Sequence, residues 1–271
     1  MTKIFIFDSA TRNFLPTDIG VSLAFWFSAK DTSSIILSGS NVQEWRDKSG
    51  YNRHISAPAA TNQPLWVPSA TDGLPLLRFD GVDDILQNTS MGTAGLNNVS
   101  ILAIFRFVSA SGEDIPVGFG ASTSSGNLRA FWRPNGSTAI AFAGYYRDVF
   151  SNYSADIGGN FHLFEMWNTA LSGVNHLFLG RDGINNSYTP TNGGVLIATS
   201  NGFAVGSWVG NAPAYTVYAS NIEVREVLAF STNLSTANLQ KAEGYLMHEW
   251  NMANLLPADH PFKNRRPFVT D

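Results

Sequence analysis

The alternation of apolar and polar side chains constrains this chain more than any other feature. The runs Val21 to Phe27 (VSLAFWF), Leu74 to Asp80 (LPLLRFD), Val99 to Val108 (VSILAIFRFV) and Asn127 to Arg133 (NLRAFWR) are short and rich in aromatic and β-branched residues. So are Phe161 to Thr169 (FHLFEMWNT), Asn175 to Gly183 (NHLFLGRDG) and Asn221 to Phe230 (NIEVREVLAF), and Gly, Asn, Ser or Pro separates them all. A two-residue period places alternate side chains on opposite faces of a strand. The runs recur too closely for crossover helices between them. The pattern therefore predicts an all-β, two-sheet antiparallel sandwich rather than βαβ units. Several runs are apolar on both faces, as central strands covered on both sides require. Arg181 to Gly183, Asn192 to Gly194 and Arg133 to Ser137 carry Asp-Gly or Asn-Gly turn signals.

One stretch breaks the pattern. Ser235 suits a helix N-cap, and Leu234 and Leu239 stand where a hydrophobic staple needs them. Ala242, Leu246 and Trp250 follow at a spacing of four, and Pro257 stops any continuation. This predicts a cap helix over 235–252, its Leu246/Trp250 stripe laid over an open end or edge of the sandwich. With no internal repeat and no linker, the chain reads as residues 1–20, an N-terminal arm; 21–257, one sandwich including the helix; and 258–271, a polar tail.

Composition narrows the function classes. Of 271 residues, 17 are basic and 21 acidic, a formal net charge of −4, so nothing suggests nucleic-acid binding. The absence of cysteine excludes disulfides and thiolate metal sites. The opening residues contain no signal peptide, and the longest apolar run, from Val99, includes Arg106 and is too short to span a bilayer. The expectation is a soluble chain without membrane insertion.

Four stretches carry a family resemblance. "LAFWFSAKD" from Leu23, "VQEWRDKSGYNRHISAP" from Val42, "PLLRFDGVDDIL" from Pro75, and the segment Glu223 to Pro267 ending "YLMHEWNMANLLPADHPFKNRRP" resemble concanavalin A-like, laminin G-like jelly rolls of phage and bacterial structural proteins. That resemblance implies a jelly-roll sandwich used to bind carbohydrate or protein, and it does not imply catalysis. It makes Trp45 and Trp250 core residues, and it makes the C-terminal helix a structural cap.

Candidate chemistry is sparse. Asp80, Asp83 and Asp84 in "FDGVDD" are hard-cation ligands in a loop and the one set suited to calcium, although turn chemistry explains them without a metal. No cofactor is otherwise expected. In "EVREV", strict alternation puts Glu223 with Arg225 and turns Glu226 to the other face, so the two acids cannot flank one glycosidic bond. Glu165 reads as a lone carboxylate paired at a sheet edge. No nucleophile elbow, P-loop or paired histidine motif occurs.

Binding remains. Sugars stack on aromatic rings while Asn, Asp and Arg bond their hydroxyls. The candidate ligand residues are Trp132, Arg133, Tyr146, Asp148, Trp208, Asn211 and Tyr215. The sequence thus predicts a non-enzymatic phage virion component: a capsid decoration, head-fibre or tail-associated protein, lectin-like, with other virion proteins, itself or a surface glycan as partner. A stand-alone lectin module and a glycoside hydrolase or lyase are the alternatives.

Overall fold

The computed structural model describes residues 12–90, 98–109, 112–120, 128–143, 148–171, 174–188, 202–209 and 218–271. Its strands are β1 (Leu23–Ser28), β2 (Ile35–Ser38), β3 (Asn41–Trp45), β4 (Ile55–Ser56), β5 (Leu65–Val67) and β6 (Leu76–Asp80). They continue as β7 (Leu86–Asn88), β8 (Ser100–Phe107), β9 (Val117–Phe119), β10 (Arg129–Trp132), β11 (Ala139–Ala143) and β12 (Val149–Ser154). The last are β13 (His162–Leu171), β14 (Val174–Arg181), β15 (Ile184–Tyr188), β16 (Phe203–Val205) and β17 (Asn221–Phe230), followed by helix α1 (Thr236–Glu249). The fold is all-β and antiparallel with this one α-helix among the described residues, and no helix there is long and apolar enough to cross a membrane.

Pairing runs through two series of strands. In the first, β15, β14, β13, β8 and β17 lie side by side, and β17 pairs with β1 along one half and β6 along the other. In the second, the order is β4, β7, β16, β9, β10, β11, β12. The short strands β3 and β5 join the two through β4 and β6. Aromatic rings interlock between the series. Phe25 of β1 lies 4.3 Å from Phe203 of β16 and 4.8 Å from Phe119 of β9, and Phe105 of β8 lies 5.6 Å from Phe131 of β10. All five rings are solvent-free, a burial that contributes roughly 2–3 kcal/mol per side chain.

Predicted turns at Arg181 to Gly183 and Arg133 to Ser137 form for the predicted reasons, and Asn192 to Gly194 lies outside the described residues. Asp182 and Gly183 both adopt positive φ in the two-residue connection of β14 to β15. Asp47 accepts from the backbone N–H of Trp26, Ser49 and Arg53, and Gly50 takes φ +94°.

Strands β8 and β17 are buried on both faces, so a second layer must cover them. Helix α1 does this: it packs on β8 and β13, across the outer face of the first series rather than over an end or edge. Ser235 accepts from the N–H of Asn238 as N-cap, and Leu239, Ala242, Leu246 and Trp250 form the buried stripe. Glu226, with no solvent contact, fastens this layer. Its carboxylate accepts from Trp26 Nε1 (2.6 Å), Trp250 Nε1 (2.6 Å), Tyr245 Oη (3.0 Å) and Ser28 Oγ (3.2 Å). Burial raises its pKa, and the two indole bonds oppose that rise.

Two strand expectations change. Strand β17 pairs Val224 with Phe105 and then Glu226 with Ile104, so Arg225 is an extra residue in a β-bulge. The bulge resets the alternation and brings Glu223 and Glu226 to the same face, against the strict period-2 reading. Neither acid is open: Glu223 is held by Arg78 and Arg106 at 2.7 Å each. Glu165, expected at an edge, stands on β13 between β8 and β14 with no solvent exposure. Burial first, then the charges of Glu243 and Asp182, push its pKa well above the usual carboxylate value.

Among the described residues Glu165 Oε2 has no hydrogen-bond partner, and neither has Asn185 Oδ1. A Cβ built on Gly180 would stand 2.0 Å from the first and 1.8 Å from the second, so the two acceptors crowd one point. A proton on Glu165 satisfies both. Because the folded-state pKa is raised, this contribution is present at low pH and is lost as pH climbs from the ordinary carboxylate range toward the raised value. Glu165→Gln, whose amide donates to Asn185 at any pH, is expected to gain about 1–2 kcal/mol over the natural chain at pH 8 and little at pH 5. Urea unfolding at both pH values measures this, and an equal effect at the two refutes it.

Candidate functional site

The site grows from small residues on two neighbouring strands. Ala141 lies opposite Trp132 and Ala143 opposite Ala130 in the β10–β11 register. Opposed residues share a face, so Trp132 stands over alanines, while Phe131 and Phe142 fill the core behind. The small side chains leave a hollow of about 210 Å³ floored by Ile115, Leu128 and Ala143. Its walls are Trp132, Trp208 and Tyr218, and Glu113 and Asp148 supply carboxylates. Trp208 and Tyr218 rings are 3.9 Å apart at the centroids, and Trp132 is braced at 5.6 Å by Phe150, which is 57% exposed. Bracing of this kind fixes the indoles as platforms without hiding them. Among the described lining residues there is no basic side chain.

Three residues expected at a site from sequence, Trp132, Asp148 and Trp208, therefore meet in one pocket. Arg133 does not join them. It is 1% exposed, and its Nη2 donates to Gly112 O (2.7 Å) while Nη1 donates to Pro134 O (3.2 Å) and Ser137 O (3.1 Å). Its Nε donates to Asp114, the partner of Arg133 in an isolated β-bridge. Alternation turns this guanidinium away from Trp132, and four acceptors fill it. Burial raises the Asp114 pKa to about 6 although Arg133 opposes the rise. Tyr146, Asn211 and Tyr215 lie outside the described residues. Glu113 and Tyr218 were not legible as site residues: the Asp114–Arg133 bridge that delivers Glu113 has no sequence signature, and Tyr218 ends the "GSWVGNAPAYTVY" stretch one turn signal away from Trp208.

The Asp80, Asp83 and Asp84 carboxylates come together, with one oxygen of each within 4.8 Å of the others. An oxygen-only set suits a hard cation. The same groups also shape the turn. Asp80 accepts from Val82 N (2.8 Å) and Asp83 N (3.3 Å), Asp84 accepts from Asp80 N (2.9 Å), and Asp83 accepts from Asn62 Nδ2 (3.2 Å). Gly81 takes φ +76°, where an added Cβ would meet Asn221 Cβ at 2.7 Å.

Two expectations follow. Arg133→Met strands the buried Asp114 charge and should cost about 3–5 kcal/mol in urea unfolding, whereas Trp132→Ala should cost far less; equal costs would refute the division between clamp and platform. Burial, reinforced by Asp80 and Asp83, raises the Asp84 pKa to about 7. The stability tied to that proton is full below the ordinary carboxylate range and fades as pH rises through about 7. Asp84→Asn should flatten this decline by about 2 kcal/mol after discounting for residual solvent, as read from melting curves between pH 4 and pH 8.

No protein-family model and no curated protein matches this sequence. Solved structures do share the fold. A Trypanosoma rangeli sialidase in complex with sialic acid is 12% identical at a TM-score of 0.58, covering 89% of this chain and 36% of that one. An arabinofuranosidase complexed with arabinofuranosyl-α-1,2-xylobiose is 13% identical at a TM-score of 0.54, covering 75% of this chain and 50% of that one. A botulinum neurotoxin type C structure, described with cell entry dependent on two ganglioside molecules, is 14% identical at a TM-score of 0.56, covering 86% and 53%. The chain thus spans between a third and about half of these proteins. At such identities the likeness shows an all-β, sandwich-like fold.

It also corrects the expectation that the chain is not an enzyme. Sialidase and arabinofuranosidase structures carry this fold, so the fold gives no ground for excluding catalysis. The physical argument fails as well, because it placed Glu223 and Glu226 on opposite faces and the bulge in β17 does not.

Proposed function

We propose that the chain binds carbohydrate in the Trp132–Trp208–Tyr218 pocket and does so as a component of a phage-like particle. The observation that carries the first part is the convergence of two indoles and a phenol, from three separate segments, around a hollow edged by two carboxylates. Rings of this kind stack on the C–H faces of sugars, and carboxylates accept from their hydroxyls. Glycan-binding and glycan-cleaving proteins among the solved structures of like fold support the reading. The particle context rests on the resemblance of residues 223–267 to closing segments of phage structural proteins. In this reading residues 21–257 form the binding unit, and the exposed side chains of 258–271, a segment that packs on the helix through His260 and Phe262, offer the surface for neighbouring particle proteins or a second copy, together with residues 1–20. A glycan array should give hits that Trp132→Ala and Trp208→Ala each weaken at least tenfold while melting temperatures stay within a few degrees. Hits that survive both substitutions would overturn the pocket assignment.

One observation favours a second reading, glycoside hydrolysis: Glu113 and Asp148 line the same pocket, and cleavage of a glycosidic bond uses two carboxylates. Reducing-end release from a bound glycan, abolished by both Glu113→Gln and Asp148→Asn, would establish it. Release unchanged by either variant would dismiss it.

A further inference from the structure

A second cavity, of about 470 Å³, opens on the outer face, away from the Trp132 pocket and with none of its lining residues. It lies between the bulge of β17, the Asp72–Leu74 turn, the start of β13 and the chain that follows α1. Arg225, the bulge residue, stands at its base and is 2% exposed. Its Cζ sits 3.7 Å from the Phe161 ring centroid and 5.4 Å from that of Trp250. Nη2 donates to Asp72, whose side chain is 46% exposed, and Nε is buried with no acceptor among the described residues.

This is an unusual investment. Burying a donor unmatched is destabilising, and a bulge also interrupts the ladder between two central strands. The neighbouring charges are spoken for: Glu223 is held by Arg78 and Arg106, and His162 by Asp182 (2.6 Å) and Asp156 (3.1 Å). Among the described residues lining this space, Arg225 is left with an incomplete acceptor set. Asn160, Asn251 and Asn254 stand exposed around that space. A guanidinium fork matches a carboxylate, and flanking rings hold its plane. Asparagine amides both donate to and accept from hydroxyls.

We infer that this cavity binds an acidic saccharide, with the sugar carboxylate on Arg225 and the sugar hydroxyls on the three asparagines. Asp72 is the placeholder: its half-exposed carboxylate, which also accepts from Leu74 N (3.2 Å), occupies Nη2 until the ligand's own carboxylate replaces it. Asp72 therefore competes with the ligand, and removing its charge strengthens binding.

Titration calorimetry with a galacturonate tetramer at low salt tests this. The natural chain should bind it. Asp72→Asn should bind about fivefold more tightly, Arg225→Gln at least tenfold more weakly, and Asn254→Asp, a change at an exposed position, several-fold more weakly. Should Arg225→Gln fail to fold, the opposite signs of the Asp72 and Asn254 variants still decide the matter. No binding by the natural chain, or one affinity across all variants, overturns the site. Inorganic phosphate that displaces the tetramer with equal affinity overturns the saccharide in favour of a bare anion site.

Discussion

One carboxylate without solvent contact ties this molecule together. Glu226 cannot be buried as an anion unless donors replace its water, and four do. They come from three parts of the fold: Trp26 and Ser28 from β1, Tyr245 from α1, and Trp250 from the turn that ends the helix. The acid thus states, in one place, that β1 pairs with β17 and that the helix lies on them both. Apolar burial would hold the helix against the sheet at many rotations, whereas Tyr245 Oη and Trp250 Nε1 meeting the two carboxylate oxygens fix one. Docking the helix in that rotation is also what brings Trp250 beside Arg225.

The two faces of the sandwich then present different chemistry. On the β10–β11 side, alanines opposite large rings make a shallow aromatic hollow with carboxylates and, among the described lining residues, no cation. On the helix side, a bulged arginine stands at the base of a larger cavity edged by three asparagines. In the proposed readings the first takes a sugar face and the second a carboxylate, and the two cavities share no lining residue.

Much of this was written in the order of residues. Alternating runs give the strands, Asp-Gly gives the β14–β15 hairpin, and Ser235 with Leu239, Ala242, Leu246 and Trp250 gives the helix and its buried stripe. Trp132 and Trp208 stand out as aromatics in glycine- and asparagine-rich surroundings. Other features were hidden for physical reasons. A bulge adds one residue without leaving any mark in composition, so the facing of Glu223 and Glu226 could not be read by counting. Arg133 looks identical, as a letter, whether it reaches solvent or clamps an aspartate brought from residue 114. Glu165 carries no sign of the helix acid, Glu243, that folds down over it from far along the chain.

The helix carries a glycine in its interior, Gly244, where an alanine would ordinarily favour the helix by about 1 kcal/mol. A Cβ there would stand 2.6 Å from Phe262 Cβ, so the missing methyl is the slot through which the chain passes after Pro257. Farther on, Phe14 N–H donates to Pro267 O and Val269 N–H donates to Arg12 O, which seats residue 12 next to residue 269. A segment joined after residue 271 would thus leave the molecule beside residue 12, along a path that the bare backbone of Gly244 makes room for.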